Sequence, residues 1–171
     1  RHEDNFASRV YCLLGDGECN EGQIWEAAMA AAHYRLDNLI AIIDYNKVMA
    51  KGKMSDLMPV EPLAEKFRAF GWKAIECDGH DLRDICVAFH RAKYLEMNGK
   101  PVAVIAHTVK GRGLPEAEFN YHWHTHAPSP KQAEAFLADL NRTYGRQEAF
   151  SRPLVSPKDG GLEAVIAADL A

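Results

Sequence analysis

With 171 residues, 47% hydrophobic content and a formal net charge of −4, the chain suits one domain with a buried core. Twenty Lys and Arg against 24 Asp and Glu, scattered rather than clustered, create no field for nucleic acid or an anionic membrane. Apolar runs such as Leu39–Ile43 are far too short to span a bilayer.

Val10–Leu14 (VYCLL) is almost wholly apolar and reads as a parallel strand covered on both faces. GDGECNEGQIWE follows at residues 15–26. From Ile24 to Tyr34 the apolar residues recur at helical spacing in an Ala-rich run. Leu39–Ile43 (LIAII) is a second buried strand, followed by a loop, DYNKVMAKGKMS. Pro62–Phe70 predicts a helix, Trp72–Cys77 a third strand, and Leu82–Leu95 a longer helix with Ile85, Ala88, Phe89 and Ala92 on one side. Pro101–Ala106 (PVAVIA) is the fourth strand. After a long loop from Lys110 to Pro130, SPKQAEAFLADL opens a helix with Ser129 as N-cap and Pro130 at its first position. Residues 1–142 thus form the domain, and residues 143–171 read as a tail or linker.

Alternating strands and helices predict an α/β fold: a parallel sheet with helices on both faces. Ligands of such sheets bind beyond the carboxyl ends of strands. GDG, DYNK, DGHD and HTVKGRG all fall at such ends. Cys12, Cys19, Cys77 and Cys86 show no CxxC spacing and read as reduced, buried thiols of a cytoplasmic protein. The chain starts on Arg1, and its first strand starts late, so the sheet is expected to lack its N-terminal part.

GDG poses an electrostatic problem. Bare glycines at a helix mouth attract phosphate, while the carboxylate between them repels it. A cation resolves the conflict. Magnesium takes one or two carboxylates plus phosphate oxygens, so Asp16 can supply one ligand. Gly15 and Gly17 let backbone N–H groups approach a diphosphate. Asn46 stands at the tip of the second strand, about one βαβ unit later, as a second oxygen ligand. Taken alone, GDG also reads as a tight turn. His122, His124 and His126 invite a zinc reading, but the loop HxHxH lacks a fourth ligand. His80 in DGHD reads as part of an Asx-type turn made by Asp78. His33 and His90 read as surface or packing residues.

GDG followed about thirty residues later by Asn resembles the thiamine diphosphate motif. GDGECNEGQIWEAAMAAAHYRLDNLIAIIDYNK is similar to the transketolase version almost throughout. The resemblance continues through DGHD, TVKGRG (108–113) and WHTHAP (123–128), and so covers roughly residues 10–140. It implies the thiamine-diphosphate-binding fold, specifically the N-terminal, diphosphate-binding module, which some organisms make as a separate subunit. By position it makes Asp16 and Asn46 side-chain ligands of Mg2+ (or of Ca2+ or Mn2+ in its place), and Val48 a backbone-carbonyl ligand. It puts Gly15, Gly17, Lys110 and His124 at the cofactor, and His124 also at substrate hydroxyls. Glu21 matches a catalytic acid in a network crossing the subunit interface. Glu26 matches another, or is a first-turn acid favoured by the helix dipole. Lys110 otherwise reads as a solvated loop Lys.

The implied activity is a step of carbohydrate metabolism of the pentose phosphate type. A two-carbon ketol unit passes from a ketose to an aldose, the substrates being sugars or sugar phosphates. The family's cofactor-activating Glu comes from a pyrimidine-binding domain, for which this chain has no room. A partner subunit or domain, in a homo- or hetero-oligomer, is therefore expected, with no nucleic acid or membrane partner. Two departures stand out: Lys51-Gly52 where the family commonly has Asp-Gly, and His126 where it often has Lys after WHG. The second bears on recognition of a sugar phosphate. The α subunits of 2-oxo acid dehydrogenases and deoxyxylulose-phosphate synthase share GDG and Asn, but ECNEGQIWEA fits neither as well. A non-catalytic, degenerate module is the remaining alternative.

Overall fold

The computed structural model describes residues 8–95 and 98–145. Strand β1 (Val10–Gly15) leads through a 3-10 turn (Gly17–Asn20) into helix α1 (Gly22–His33) and strand β2 (Leu39–Tyr45). A two-residue ladder, β3 (Val48–Met49) with β4 (Gly52–Lys53), follows, then the short helix α2 (Met54–Leu57) and helix α3 (Leu63–Ala69). Strand β5 (Lys73–Asp78), helix α4 (Leu82–His90), strand β6 (Val102–His107) and helix α5 (Pro130–Tyr144) complete the described part. The tail read from residue 143 onward lies, beyond Gly145, outside the described residues.

The sheet runs β1-β2-β6-β5, with every neighbouring pair parallel. Gly15 pairs with Asp44, Tyr45 with His107 and Asp78 with His107, so all four carboxyl ends meet at one edge. Alternation along the strands sorts the core into two layers. Ala41, Ile43, Tyr45, Ala103 and Ile105 face α1 and α3. Ile40, Ile75, Cys77, Val102 and Val104 face α4. Helices therefore cover both faces, as the strand–helix alternation requires.

Aromatic packing fixes α1 behind the first loop. Trp25 lies against Phe67 and Phe70, and Phe67 against Trp72, with ring centroids 5.2–5.5 Å apart. Each indole finds an acceptor: Trp25 Nε1 donates to the Cys19 carbonyl and Trp72 Nε1 to that of Ala28, both at 2.8 Å. The helix read over Leu82–Leu95 holds in its α-helical geometry only to His90 and continues as a π-helical turn, Arg91–Leu95. Ser129 caps α5 with a full capping box, and Pro130 begins the helix.

β1 departs from expectation. Val10, Tyr11 and Leu13 are 51%, 50% and 71% exposed, because β1 pairs with β2 alone and forms an edge of the sheet. Cys12 on the same strand is exposed and Cys86 half-buried, so the buried-thiol reading holds only for Cys19 and Cys77. Burial pushes the Cys19 thiol up to about 12 and the Cys77 thiol up to about 11. None of the four is in a disulfide.

Ile43, fully buried, and Leu13 test this layering. Ile43→Ala should cost about 2–5 kcal/mol in urea unfolding. Leu13→Ala should change the isolated chain by no more than about 0.5 kcal/mol. Comparable losses would mean that β1 is covered.

Candidate functional site

Asp16 caps the 3-10 turn rather than α1, which starts at Gly22. Gly15 therefore precedes and Gly17 begins a single 3-10 turn, and α1 starts only after it, at Gly22. Asp16 is 2% exposed. Its Oδ1 accepts from Gly17 N at 2.8 Å, and its Oδ2 from Lys47 N at 2.5 Å, in the turn that follows β2. Asn46, also buried, accepts from Val48 N through Oδ1 at 3.0 Å and donates through Nδ2 to Asp44 Oδ2 at 3.1 Å. The first two strand tips are thus stitched together by side chains from both.

Lys47 adopts φ +63, a left-handed conformation uncommon outside glycine, Asn and Asp. That geometry turns its N–H onto Asp16. Its carbonyl accepts from Met54 N at 2.9 Å, so the turn is held at both ends. The loop read over DYNKVMAKGKMS is thereby structured, as the β3–β4 ladder and α2.

Burial is the main influence on Asp16 and pushes its carboxyl above the ordinary 3.8. Hydrogen bonds from Lys47 and Gly17 pull it back, and the negative charge of Asp44 adds to the rise. Among the described residues no Lys, Arg or His forms an ion pair with Asp16. A buried acid with no cation, a second acid beside it, and an amide oxygen and backbone carbonyls in the same turn form a hard-oxygen donor set suited to a divalent ion. Gly15 and Gly17 have ordinary φ, and a Cβ on either would approach nothing closer than 3.4 Å. Packing within the chain therefore does not require glycine at either position. Their N–H groups already donate, Gly15 to Glu18 Oε2 and Gly17 to Asp16 Oδ1, both at 2.8 Å. A diphosphate would reach them only as those carboxylates turn toward a cation.

The loop after β6 brings the second pair together. Lys110 Nζ lies 3.1 Å from His124 Nδ1 across fourteen residues. Gly111 (φ +76) makes this loop possible, since a Cβ there would stand 2.4 Å from the Ala117 carbonyl oxygen. His124 ends a 3-10 turn, Tyr121–His124, capped by Asn120. Trp123 in that turn meets the buried Phe136 of α5 edge-on at 5.2 Å, so α5 braces the loop that carries His124.

Other predicted residues lie apart. Glu21 is exposed and bonded to Gln23 at 2.6 Å, and Glu26 is exposed on α1. Among the described residues no three His, Cys, Asp or Glu converge to hold a metal, and His126 Nδ1 instead lies 2.9 Å from the His122 carbonyl. Asp78 makes the expected Asx turn, accepting from His80 N at 2.8 Å. His80 Nε2 in turn accepts from Val109 N at 2.7 Å, tying the β5 tip to the β6 loop. His90 is half-buried and its Nδ1, though shielded, has no hydrogen-bond partner among the described residues; the ring packs against Tyr94. A polar cavity of about 540 Å³ opens beside Asn46, lined by Lys47, Asp78, His80, His107 and Arg112.

Sequence reasoning passed over Asp44, whose carboxylate receives Asn46 and Thr108, and Glu18, which receives Gly15. Asp44 and Thr108 sit inside strand-end motifs already singled out. Glu18 carries no pattern that marks it.

Buried oxygen donors at the carboxyl tips of adjacent parallel strands define the chain as an α/β domain of the strand-tip ligand-binding class. Comparison with known proteins narrows this. Residues 1–153 match the family model for the transketolase thiamine diphosphate binding domain. The chain is 40% identical over 139 residues to the 6-deoxy-6-sulfo-D-fructose transketolase subunit SqwG of Clostridium sp. (strain MSTE9), covering 81% of this chain and 50% of that protein. It is 42% identical over 132 residues to an apulose-4-phosphate transketolase subunit of Actinobacillus succinogenes, covering 77% and 47%. The crystal structure of transketolase from Campylobacter jejuni superposes with a TM-score of 0.72 at 28% identity, over 98% of this chain and 26% of that one. The chain belongs to the transketolase family, as its thiamine diphosphate binding domain. It spans about half the length of these two subunits.

The raised Asp16 carboxyl gives a signed pH effect. The folded chain holds that proton more tightly than the unfolded chain. The stability this contributes is full below 3.8 and is lost as pH rises through the folded value. The difference in urea midpoint between the wild type and Asp16→Ala should therefore move against the wild type as pH rises above 3.8, without added metal. A trend in the opposite sense would mean that the buried carboxyl is not raised.

Proposed function

We propose that the chain is the diphosphate-binding subunit or fragment of a transketolase, moving a two-carbon ketol unit from a ketose to an aldose. The observation that carries this reading is the buried, unpaired Asp16 carboxylate stitched to the Asn46–Val48 turn. Asp16, Asn46 and the Val48 carbonyl would hold Mg2+ or a similar divalent ion, and Gly15, Gly17, Lys110 and His124 would surround the diphosphate. Bound thiamine diphosphate supplies the carbon nucleophile and the electron sink for the two-carbon fragment. The chain's own contribution is to fix the diphosphate tail, so that orientation entropy is lost on binding and not at the transition state. His124 would address substrate oxygens.

A pyrimidine-binding partner chain or domain completes the site, and Glu21 would enter a network with it. The two relatives named above are subunits by name, which supports an oligomer. Their named substrates are a sulfo-sugar and a sugar phosphate, so the family's anionic sugars differ in the charged group. His126, where the family often has Lys, is the position at which this chain's acceptor preference would be set. A site with less positive charge favours an unphosphorylated or otherwise modified acceptor.

Calorimetry on the chain reconstituted with a pyrimidine-binding transketolase subunit tests the proposal. Thiamine diphosphate should bind in an Mg2+-dependent manner, and Asp16→Ala or Asn46→Ala should weaken it at least about 10-fold. Ketol transfer should require both chains. Binding indifferent to Mg2+ and to both substitutions would remove the metal bridge. Ketol transfer by the isolated chain would remove the need for a partner.

A further inference from the structure

We infer that Lys110 is a positioning residue that holds His124 as the Nε2–H tautomer, so that His124 meets its ligand as a hydrogen-bond donor and not as a free base. The contact is Lys110 Nζ to His124 Nδ1 at 3.1 Å. An ammonium has three donors and no acceptor, so Nδ1 must present its lone pair. A neutral imidazole carries one N–H, which then sits on Nε2.

The loop constrains this pairing on both sides. The Lys110 carbonyl accepts from Phe119 N at 3.0 Å, and Gly111 beside it tolerates no Cβ. On the histidine side Asn120 caps the turn, and Trp123 is braced by Phe136. No competing partner occupies either group: among the described residues no carboxylate pairs with Lys110. His126 Nδ1 is taken up by the His122 carbonyl, so the neighbouring imidazole is committed elsewhere.

The chemical consequence rests on the ketol-transfer reading. An Nε2–H donor supports negative charge as an aldehyde oxygen becomes an alkoxide, or a phosphate oxygen of the cofactor. It cannot at the same nitrogen accept the proton that leaves a donor-sugar hydroxyl. A donor aimed at a developing oxyanion is worth about 10²–10³-fold in kcat.

Long-range ¹H–¹⁵N spectra of the ¹⁵N-histidine-labelled 171-residue chain read the tautomer directly, without cofactor or partner. The wild type should show His124 protonated on Nε2 at neutral pH. Lys110→Arg, whose guanidinium donates and cannot accept, should retain that form. Lys110→Met should shift the population toward Nδ1–H, while backbone amide spectra report an unchanged fold. Should Lys110→Met not fold, Lys110→Ala replaces it in the same comparison. Nδ1–H in the wild type, or a tautomer population unmoved by removing the donor, overturns the inference. A failed ketol-transfer assay leaves it standing, because the spectra measure the apo chain. In the reconstituted enzyme Lys110→Met should lower kcat with little change in KM, and Lys110→Arg should restore part of the loss; equal kcat in the two variants counts against it.

Discussion

The structure turns on one uncompensated charge. Asp16 is a carboxylate that the fold buries at the tip of an edge strand, between two backbone N–H donors, with a second acid nearby and no cationic side chain paired to it among the described residues. Two hydrogen bonds offset part of the desolvation but not all of it, and the carboxyl stays above its ordinary value. A protein selected for stability alone would fill this position with a neutral side chain. Its retention makes sense if the missing charge arrives with a ligand, which is the logic of a metal bridge between protein and diphosphate.

Much of the remaining architecture serves to hold strand tips in register around that charge. Parallel pairing brings Gly15, Asp44, Tyr45, His107 and Asp78 to one rim. The Tyr45 hydroxyl donates to Glu61, and its ring meets His107, so the residue before Asn46 is fixed from two directions. Burial, followed by that hydrogen bond, raises the phenol well above its ordinary range. Farther out, α5 acts through Phe136 on Trp123, and through Tyr144 and Leu140 packed over Gly113. Helix α5, which carries none of the candidate site residues, thereby helps determine where His124 stands.

The fold was largely legible because its signals are local and repeated. Three apolar runs of five or six residues and the mixed run Trp72–Cys77, separated by helical periodicity, specify a parallel α/β sheet whatever surrounds them. The α5 start could be read to the residue from Ser129 and Pro130. What misled was burial. VYCLL has the composition of a two-face-covered strand, but composition reports what a strand is fit for and not whether neighbours are present. The site was legible in its residue types and less so in its contacts. GDG and Asn46 marked the loops, while the hydrogen bond from Lys47 N to Asp16 depends on a left-handed backbone that the dipeptide Asn-Lys does not announce. Likewise Lys110 and His124 lie fourteen residues apart on a loop with no period, and only its three-dimensional course makes them neighbours.

The left-handed backbone at Lys47 has its own implication for how this segment tolerates change. Glycine would relieve the local torsional penalty, about 1 kcal/mol or more for a residue with a β-carbon. It would also remove the ammonium that sits 4.9 Å above the Tyr45 ring and lines the polar cavity beside Asn46. Position 47 therefore trades conformational ease against a positive charge at the rim, and descendants of this chain that drift to glycine there would gain a more relaxed turn while surrendering an electrostatic guide for incoming anions.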